Sequence, residues 1–215
     1  MTSNTDTTLS PTVATVMGMD IAEATELATS WCRMWNEKPA LAYELMTDDC
    51  VQWFANAPDL DSVIGPAQQE AFVTAYRGRQ VNVFVPRLYV VDGDAFAYLW
   101  DVTFPDATVL TGIDVNVMQG KRIRENWTFL GPRRDAPDPP PGDLLDREKL
   151  TTLASRWAAA MGYVVHRRLI VDESCGRIAL LRNTSDGAGG VDLLAVRDGD
   201  VHPIWSVTGA RAFRY

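Results

Sequence analysis

Two stretches of the chain are written in one pattern: Gly112-Ile113-Asp114 followed by Trp127 and Gly131, and Gly190-Val191-Asp192 followed by Trp205 and Gly209. The matched residues stand 78 apart in every case (112 to 190, 127 to 205, 131 to 209), so the blocks align without a gap. Behind each Gly-x-Asp comes an apolar run and then a polar turn, Gln119-Gly120-Lys121 in the first and Arg197-Asp198-Gly199-Asp200 in the second. A second run carries the tryptophan. Apolar runs flanking a glycine-containing turn read as a β-hairpin, and this hairpin is written twice. Self-similarity at a fixed spacing decides architecture before any single motif does. Arg168-Leu169-Ile170-Val171-Asp172 likewise echoes Arg87-Leu88-Tyr89-Val90-Val91-Asp92.

Ahead of the first hairpin, Asp20-Ile21-Ala22-Glu23 reads as a capping box. Ile21, Ala24, Leu27, Ala28, Trp31, Met34 and Trp35 keep helical spacing up to Asn36. A short helix from Pro39 to Leu45, a break at Thr47-Asp48-Asp49, a strand from Cys50 to Ala55 and a helix from about Ala67 to Tyr76 follow. Four strands are then expected: Val81 to Val91, Ala95 to Phe104, Val109 to Met118 and Arg122 to Leu130. This is an α+β plan, a curved antiparallel sheet closed by helices. Residues 134–144, rich in proline, read as a linker. Residues 145–215 repeat the third helix and the four strands but lack counterparts of the first two helices and first strand, a truncated second copy. Residues 1–19, without a basic region or an apolar core segment, read as a disordered tail rather than a secretory signal.

With 47% apolar and 22% charged residues the chain has ample material for a core. Its formal charge of −8 argues against nucleic acid or an anionic membrane as partner, since both require a basic face. No apolar run approaches the roughly 20 residues of a membrane span. Cys32, Cys50 and Cys175 read as buried thiols of a cytoplasmic chain. The two histidines, His166 and His202, have no cluster around them, so neither a metal nor another cofactor is expected.

Residues 20–133 resemble the nuclear transport factor 2-like superfamily, which includes ketosteroid isomerase and the SnoaL-type polyketide cyclases. The resemblance is carried by the helix ending in Trp35-Asn36, the entry Leu45-Met46-Thr47-Asp48-Asp49-Cys50-Val51, and Gly112-Ile113-Asp114-Val115 followed by Gly120-Lys121-Arg122-Ile123 and Trp127. It implies a cone with an apolar interior pocket, and it sets Asp114 where ketosteroid isomerases carry a protonated aspartic acid. The remaining apparatus of that enzyme is replaced: its base position falls on Phe54 and its oxyanion tyrosine on Trp31. In this superfamily the outer sheet face packs against a second protomer, which implies that the C-terminal half covers the first sheet as an internal pseudo-dimer partner, with Trp127 and Trp205 in one seam.

Strand alternation then assigns a pocket. Asp114 is the candidate catalytic acid or base, and Trp31, Trp35, Phe54, Tyr98, Trp100, Asn116, Asn126 and Thr128 are the candidate ligand contacts. A lone carboxyl group in apolar surroundings has a raised pKa, suited to isomerisation, dehydration or cyclisation of a small hydrophobic molecule, polyketide-, terpenoid- or steroid-like. A non-catalytic ligand-binding or scaffold protein is the alternative, and Asp114 serving only to pin the hairpin stays open, because Asp192 occupies the same slot in a unit too short to close a pocket. Asp101 and Glu125 are assigned to the outer face, and Arg122, Arg124, Arg133 and Arg134 to a solvated edge. The oligomeric expectation is a monomer with an internal pseudo-dimer, or a homodimer.

Overall fold

The computed structural model describes residues 18–57 and 60–213, apart from the side chains at 166 and 167. Most of the expected tail, residues 1–17, lies outside them, while Met19 N–H donates to Gly93 O at 3.0 Å. Helix α1 (Ile21–Asn36) starts where expected, with Asp20 Oδ1 accepting the Glu23 N–H at 2.9 Å, which satisfies one of the free amides of a helix start. A 3₁₀ turn (Pro39–Leu41) and the one-turn helix α2 (Ala42–Leu45) lead into β1 (Met46–Phe54). Thr47-Asp48-Asp49 does not break the chain there. These residues run inside β1, where the pairing register shifts between Met46 and Val51, and the bulge absorbs their polar side chains at the sheet edge.

After β2 (Ser62–Ile64) and α3 (Gly65–Arg79) come β3 (Val83–Asp92), β4 (Ala95–Thr103), β5 (Val109–Gln119) and β6 (Arg122–Gly131). The six strands form one curved sheet in the order β2-β1-β6-β5-β4-β3. The sheet is mixed: β1 runs parallel to β6, and the other pairs are antiparallel. The second unit is α4 (Arg147–Ala160) followed by β7 (Val164–Asp172), β8 (Arg177–Asn183), β9 (Gly189–Arg197) and β10 (Asp200–Thr208), an antiparallel sheet in the order β10-β9-β8-β7. Helix α3 and β3 to β6 have the same succession and the same strand order.

Alternation along β5 divides its residues between two cores. Ile113, Val115 and Val117 face outward into a cluster with Trp53, Leu99, Trp127 and Phe129, and the second sheet completes that cluster with Ile170, Ala179, Leu181, Val191 and Leu193. Trp205 packs against the same seam, so both repeated tryptophans lie where the sheets meet. Both faces of β5 and β9 are therefore buried, their polar residues Thr111, Asp114, Asn116 and Asp192 included. On its other side the first sheet packs on α1, α2 and α3, and the second sheet packs on α4 through Leu150, Ala154, Leu194 and Val196. The layers therefore run helices, sheet, sheet, helix.

One pair of contacts across the seam is reciprocal. Val91 N–H donates to Asp172 Oδ2 at 2.9 Å, and Val171 N–H donates to Asp92 Oδ2 at 3.2 Å. Residue i meeting j while the counterpart of j meets the counterpart of i is the signature of a two-fold related interface. Residues 134–144 are held in place rather than loose. Arg177 donates to Pro139 O, Gly142 N–H to Cys175 O and Asp143 N–H to Val196 O. Arg134, expected on a solvated edge, is mostly buried and donates to Ile204 O, Pro137 O and Asp138. An arginine has five donors in a fixed fork, and here they tie the connecting segment to β10.

Candidate functional site

Between the inner face of the first sheet and helices α1 and α3 lies a cavity of about 290 Å³. Helix α1 contributes Trp31 and Trp35, one turn apart on its buried stripe, and Cys32 beside Trp31. Strand β1 contributes Gln52 and Phe54, β4 contributes Tyr98, Trp100 and Val102, and β5 and β6 contribute Asp114, Thr128 and Leu130. Each set obeys the two-residue alternation of a strand. The expected contacts Trp31, Trp35, Phe54, Tyr98, Trp100, Thr128 and Asp114 are thus brought together. Asn116 and Asn126 are not on the lining; they are buried behind it, Asn126 Nδ2 donating to Asn116 Oδ1 at 2.8 Å. They sit toward the β5–β6 turn, where the sheet has already closed on the helices, and the alternation that assigns their face says nothing of depth.

Sequence reasoning missed Gln52, Asn56, Phe72, Tyr76, Phe84 and Phe104, which also line the cavity. Phe104 continues the period-two series Tyr98, Trp100, Val102, and Gln52 precedes Phe54 by two, so both were within reach of the pattern. Phe72 and Tyr76 are four apart on α3, a helix whose apolar stripe is weak. They contact the Trp35 ring edge-on, at 5.8 and 5.6 Å between centroids, an arrangement aromatic pairs favour.

Among the described residues Asp114 is the one carboxyl group of the lining, and it is only 3% exposed. Its Oδ2 accepts the Tyr98 hydroxyl at 2.9 Å, while Oδ1 is buried without a hydrogen-bond partner. Burial raises its pKa from 3.8 to about 6, opposed by the Tyr98 hydroxyl and then by the nearby polar groups of Thr128, Trp100 and Asn126. Burial and the adjacent Asp114 push the Tyr98 phenol well up, and burial also pushes the Cys32 thiol up. From the wall inward, Gln52 Nε2 donates to Thr128 Oγ1 at 2.9 Å and Thr128 Oγ1 donates to Asn126 Oδ1 at 2.7 Å. No lysine, arginine or histidine lines the cavity among the described residues, and no group of three metal-ligating side chains occurs among them.

The matching slot of the second unit is filled. Asp192 Oδ1 accepts from Arg182 Nε at 2.9 Å, its Oδ2 accepts from Trp157 Nε1 at 3.0 Å, and the Arg182 guanidinium lies 4.0 Å over the Tyr163 ring. The repeated glycine explains both slots. Gly112 pairs with Trp100 and Gly190 with Arg182 across the ladder, and a Cβ on either glycine would overlap the partner's side chain. Glycine at this point lets a large side chain from the next strand cross the sheet face. In the first unit that side chain is an indole walling the cavity; in the second it is an arginine plugging the slot. Asp101 lies on the other face as expected, accepting from Thr111 Oγ1 at 2.7 Å and pairing with Arg87 at 3.0 Å. Glu125 pairs with Arg124 at 2.7 Å, and His202 is exposed on β10, whereas the side chain of His166 lies outside the described residues.

No family model and no curated protein matches the chain. Solved structures match over about half of it. A protein of unknown function with a cystatin-like fold from Methylobium petroleophilum PM1 has a TM-score of 0.48 at 16% identity, over 57% of this chain and 85% of that one. A nuclear transport factor 2-like protein of unknown function from Mesorhizobium loti has 0.43 at 20%, over 51% and 92%. A protein with a ketosteroid isomerase-like fold from Catenulispora acidiphila, solved with trimethylamine, has 0.42 at 14%, over 48% and 83%. By its own topology the first unit is an α+β arrangement, a curved mixed sheet closed on one side by helices. A fold of this kind carries many unrelated chemistries, so the chemistry rests on the lining residues.

Proposed function

We propose that the cavity is the working site of a small-molecule enzyme and that Asp114 exchanges a proton with the bound molecule. The observation that carries this reading is a buried carboxyl group with one free oxygen at the wall of an otherwise apolar, aromatic cavity. A pKa near 6 lets the group both take and return a proton close to neutrality. Tyr98 and Cys32 are pushed up, out of that range, which favours one base working alone. One base that removes a proton and returns it to a neighbouring atom performs an isomerisation; dehydration or cyclisation calls for a separate acid. A cavity of about 150 Å³ takes up benzene, so about 290 Å³ accommodates one or two rings within its walls. Ligand binding without turnover is the second reading, favoured by the same absence of a second titrating group near neutrality.

The test is deuterium uptake from heavy water by a panel of enolisable one- and two-ring compounds, followed by mass spectrometry. Wild-type protein should catalyse uptake into at least one, and Asp114→Asn should reduce that rate by roughly 10²-fold or more. No catalysed uptake, or uptake unchanged by the substitution, contradicts the enzyme reading. We further propose that residues 20–133 form the working unit and 145–215 a truncated copy. The shared strand order and the reciprocal Val91–Asp172 and Val171–Asp92 bonds support this. A cytoplasmic chain that acts as a monomer fits three free thiols and an outer sheet face already covered from within; no helix among the described residues is long and apolar enough to cross a membrane.

A further inference from the structure

We infer that the ligand of the cavity is a compact organic cation, a nitrogen base bound as its ammonium form with apolar substituents, held between Asp114 and the surrounding aromatic rings. The inference rests on the reading of this cavity as the working site and names the charge class of what enters it. Among the described residues nine aromatic side chains line the space, three of them tryptophans, and the single charged group with them is Asp114. Asp114 makes no ion pair among the described residues, and its Oδ1 has no donor. A buried carboxylate without a counter-ion is unfavourable, and the π-faces around it also attract positive charge. An anionic ligand would meet no cationic side chain here among the described residues.

The second unit supplies the internal comparison. In the slot that corresponds to Asp114, Asp192 is neutralised by a cation resting on an aromatic face: Arg182, 2% exposed, paired at 2.9 Å and stacked over Tyr163. The strand position that brings Arg182 to Asp192 carries Trp100 in the first unit. The first slot thus keeps the carboxylate and gains an aromatic wall, and it lacks the cation that the second provides for itself. A ligand nitrogen completes the same arrangement as a positive charge beside the Asp114 carboxylate, Oδ1 keeping a lone pair for the proton it exchanges. In a one-base proton transfer such a nitrogen has a further role. Among the described residues the lining offers no basic side chain to offset charge developing on carbon, and a positive nitrogen beside the reacting carbon supplies that charge from within the ligand.

The probes are benzyldimethylamine, protonated at pH 7.5, and isobutylbenzene, which has the same shape with carbon in place of the nitrogen. Each is titrated into the wild-type protein in a calorimeter, a comparison that depends on no variant folding. The cation should bind at least tenfold more tightly than the hydrocarbon, and Asp114→Asn should remove that preference. Equal or tighter binding of isobutylbenzene, or no saturable binding of the amine, overturns the inference. The two readings fail separately: Asp114-dependent deuterium uptake without cation preference sinks the charge class alone, and cation preference without any uptake sinks the enzyme reading alone.

Discussion

Replacing Asp114 with asparagine should stabilise the protein at high pH and lose that advantage in acid. The carboxyl pKa rises from 3.8 to about 6 on folding, so the folded state binds this proton more tightly than the unfolded chain. The linkage sign follows: stability from this group is greatest near or below pH 4, falls as pH rises toward 6, and is constant above. Each pKa unit corresponds to about 1.4 kcal/mol, so the ionised group penalises folding by about 3 kcal/mol at pH 8. Asparagine removes the charge and keeps an oxygen for the Tyr98 hydroxyl. It also places an amide N–H where Oδ1 has no partner, at about 1 kcal/mol. The net gain is about 2 kcal/mol at pH 8, roughly 4–8 °C in Tm for a chain of this size, vanishing by pH 4. Urea unfolding of both proteins at pH 4, 5, 6, 7 and 8 measures the difference directly. A difference that is the same at every pH would refute the buried, raised carboxyl and with it the acid–base argument.

Further outcomes follow from the same geometry. Arg182→Met alone should cost about 3–5 kcal/mol in urea unfolding, because it strands Asp192 as an uncompensated buried charge; Arg182→Met with Asp192→Leu should recover most of that loss. Gly112→Ala forces a Cβ into the Trp100 ring; it should cost about 1–3 kcal/mol and shift the near-ultraviolet circular dichroism as the indole leaves its place. Trp127→Ala at the seam should cost about 3–5 kcal/mol and expose the covered face. Light scattering should then show a larger average mass than that of the wild-type protein.

Much of this architecture was legible in the sequence. The Asp20 cap, the helical stripe to Asn36 and the repeated hairpin mark local rules that tertiary packing does not override. The parallel pairing of β1 with β6 was not legible, because strand alternation is the same in parallel and antiparallel ladders. Neither was the place of Thr47-Asp48-Asp49, where three polar residues imitate a turn yet ride on a bulge. Within the site, alternation found Tyr98, Trp100, Asp114 and Thr128, which share one face. It also set Asn116 and Asn126 on that face without revealing that the cavity ends before them. The clearest miss is the pairing of Arg182 with Asp192. A residue ten positions away in the chain meets the aspartate only because Gly190 clears its path, and this difference separates the two copies of the motif.

The most direct test of the account follows the Asp114 carboxyl itself by carbon-13 NMR, assigned through Asp114→Asn, as pH is varied with the cavity empty and then saturated with benzyldimethylamine. The account predicts a midpoint near 6 in the empty protein and a midpoint at least one unit lower with the amine bound. A carboxyl that titrates near 3.8, or one whose midpoint does not move when the cavity is filled, contradicts it.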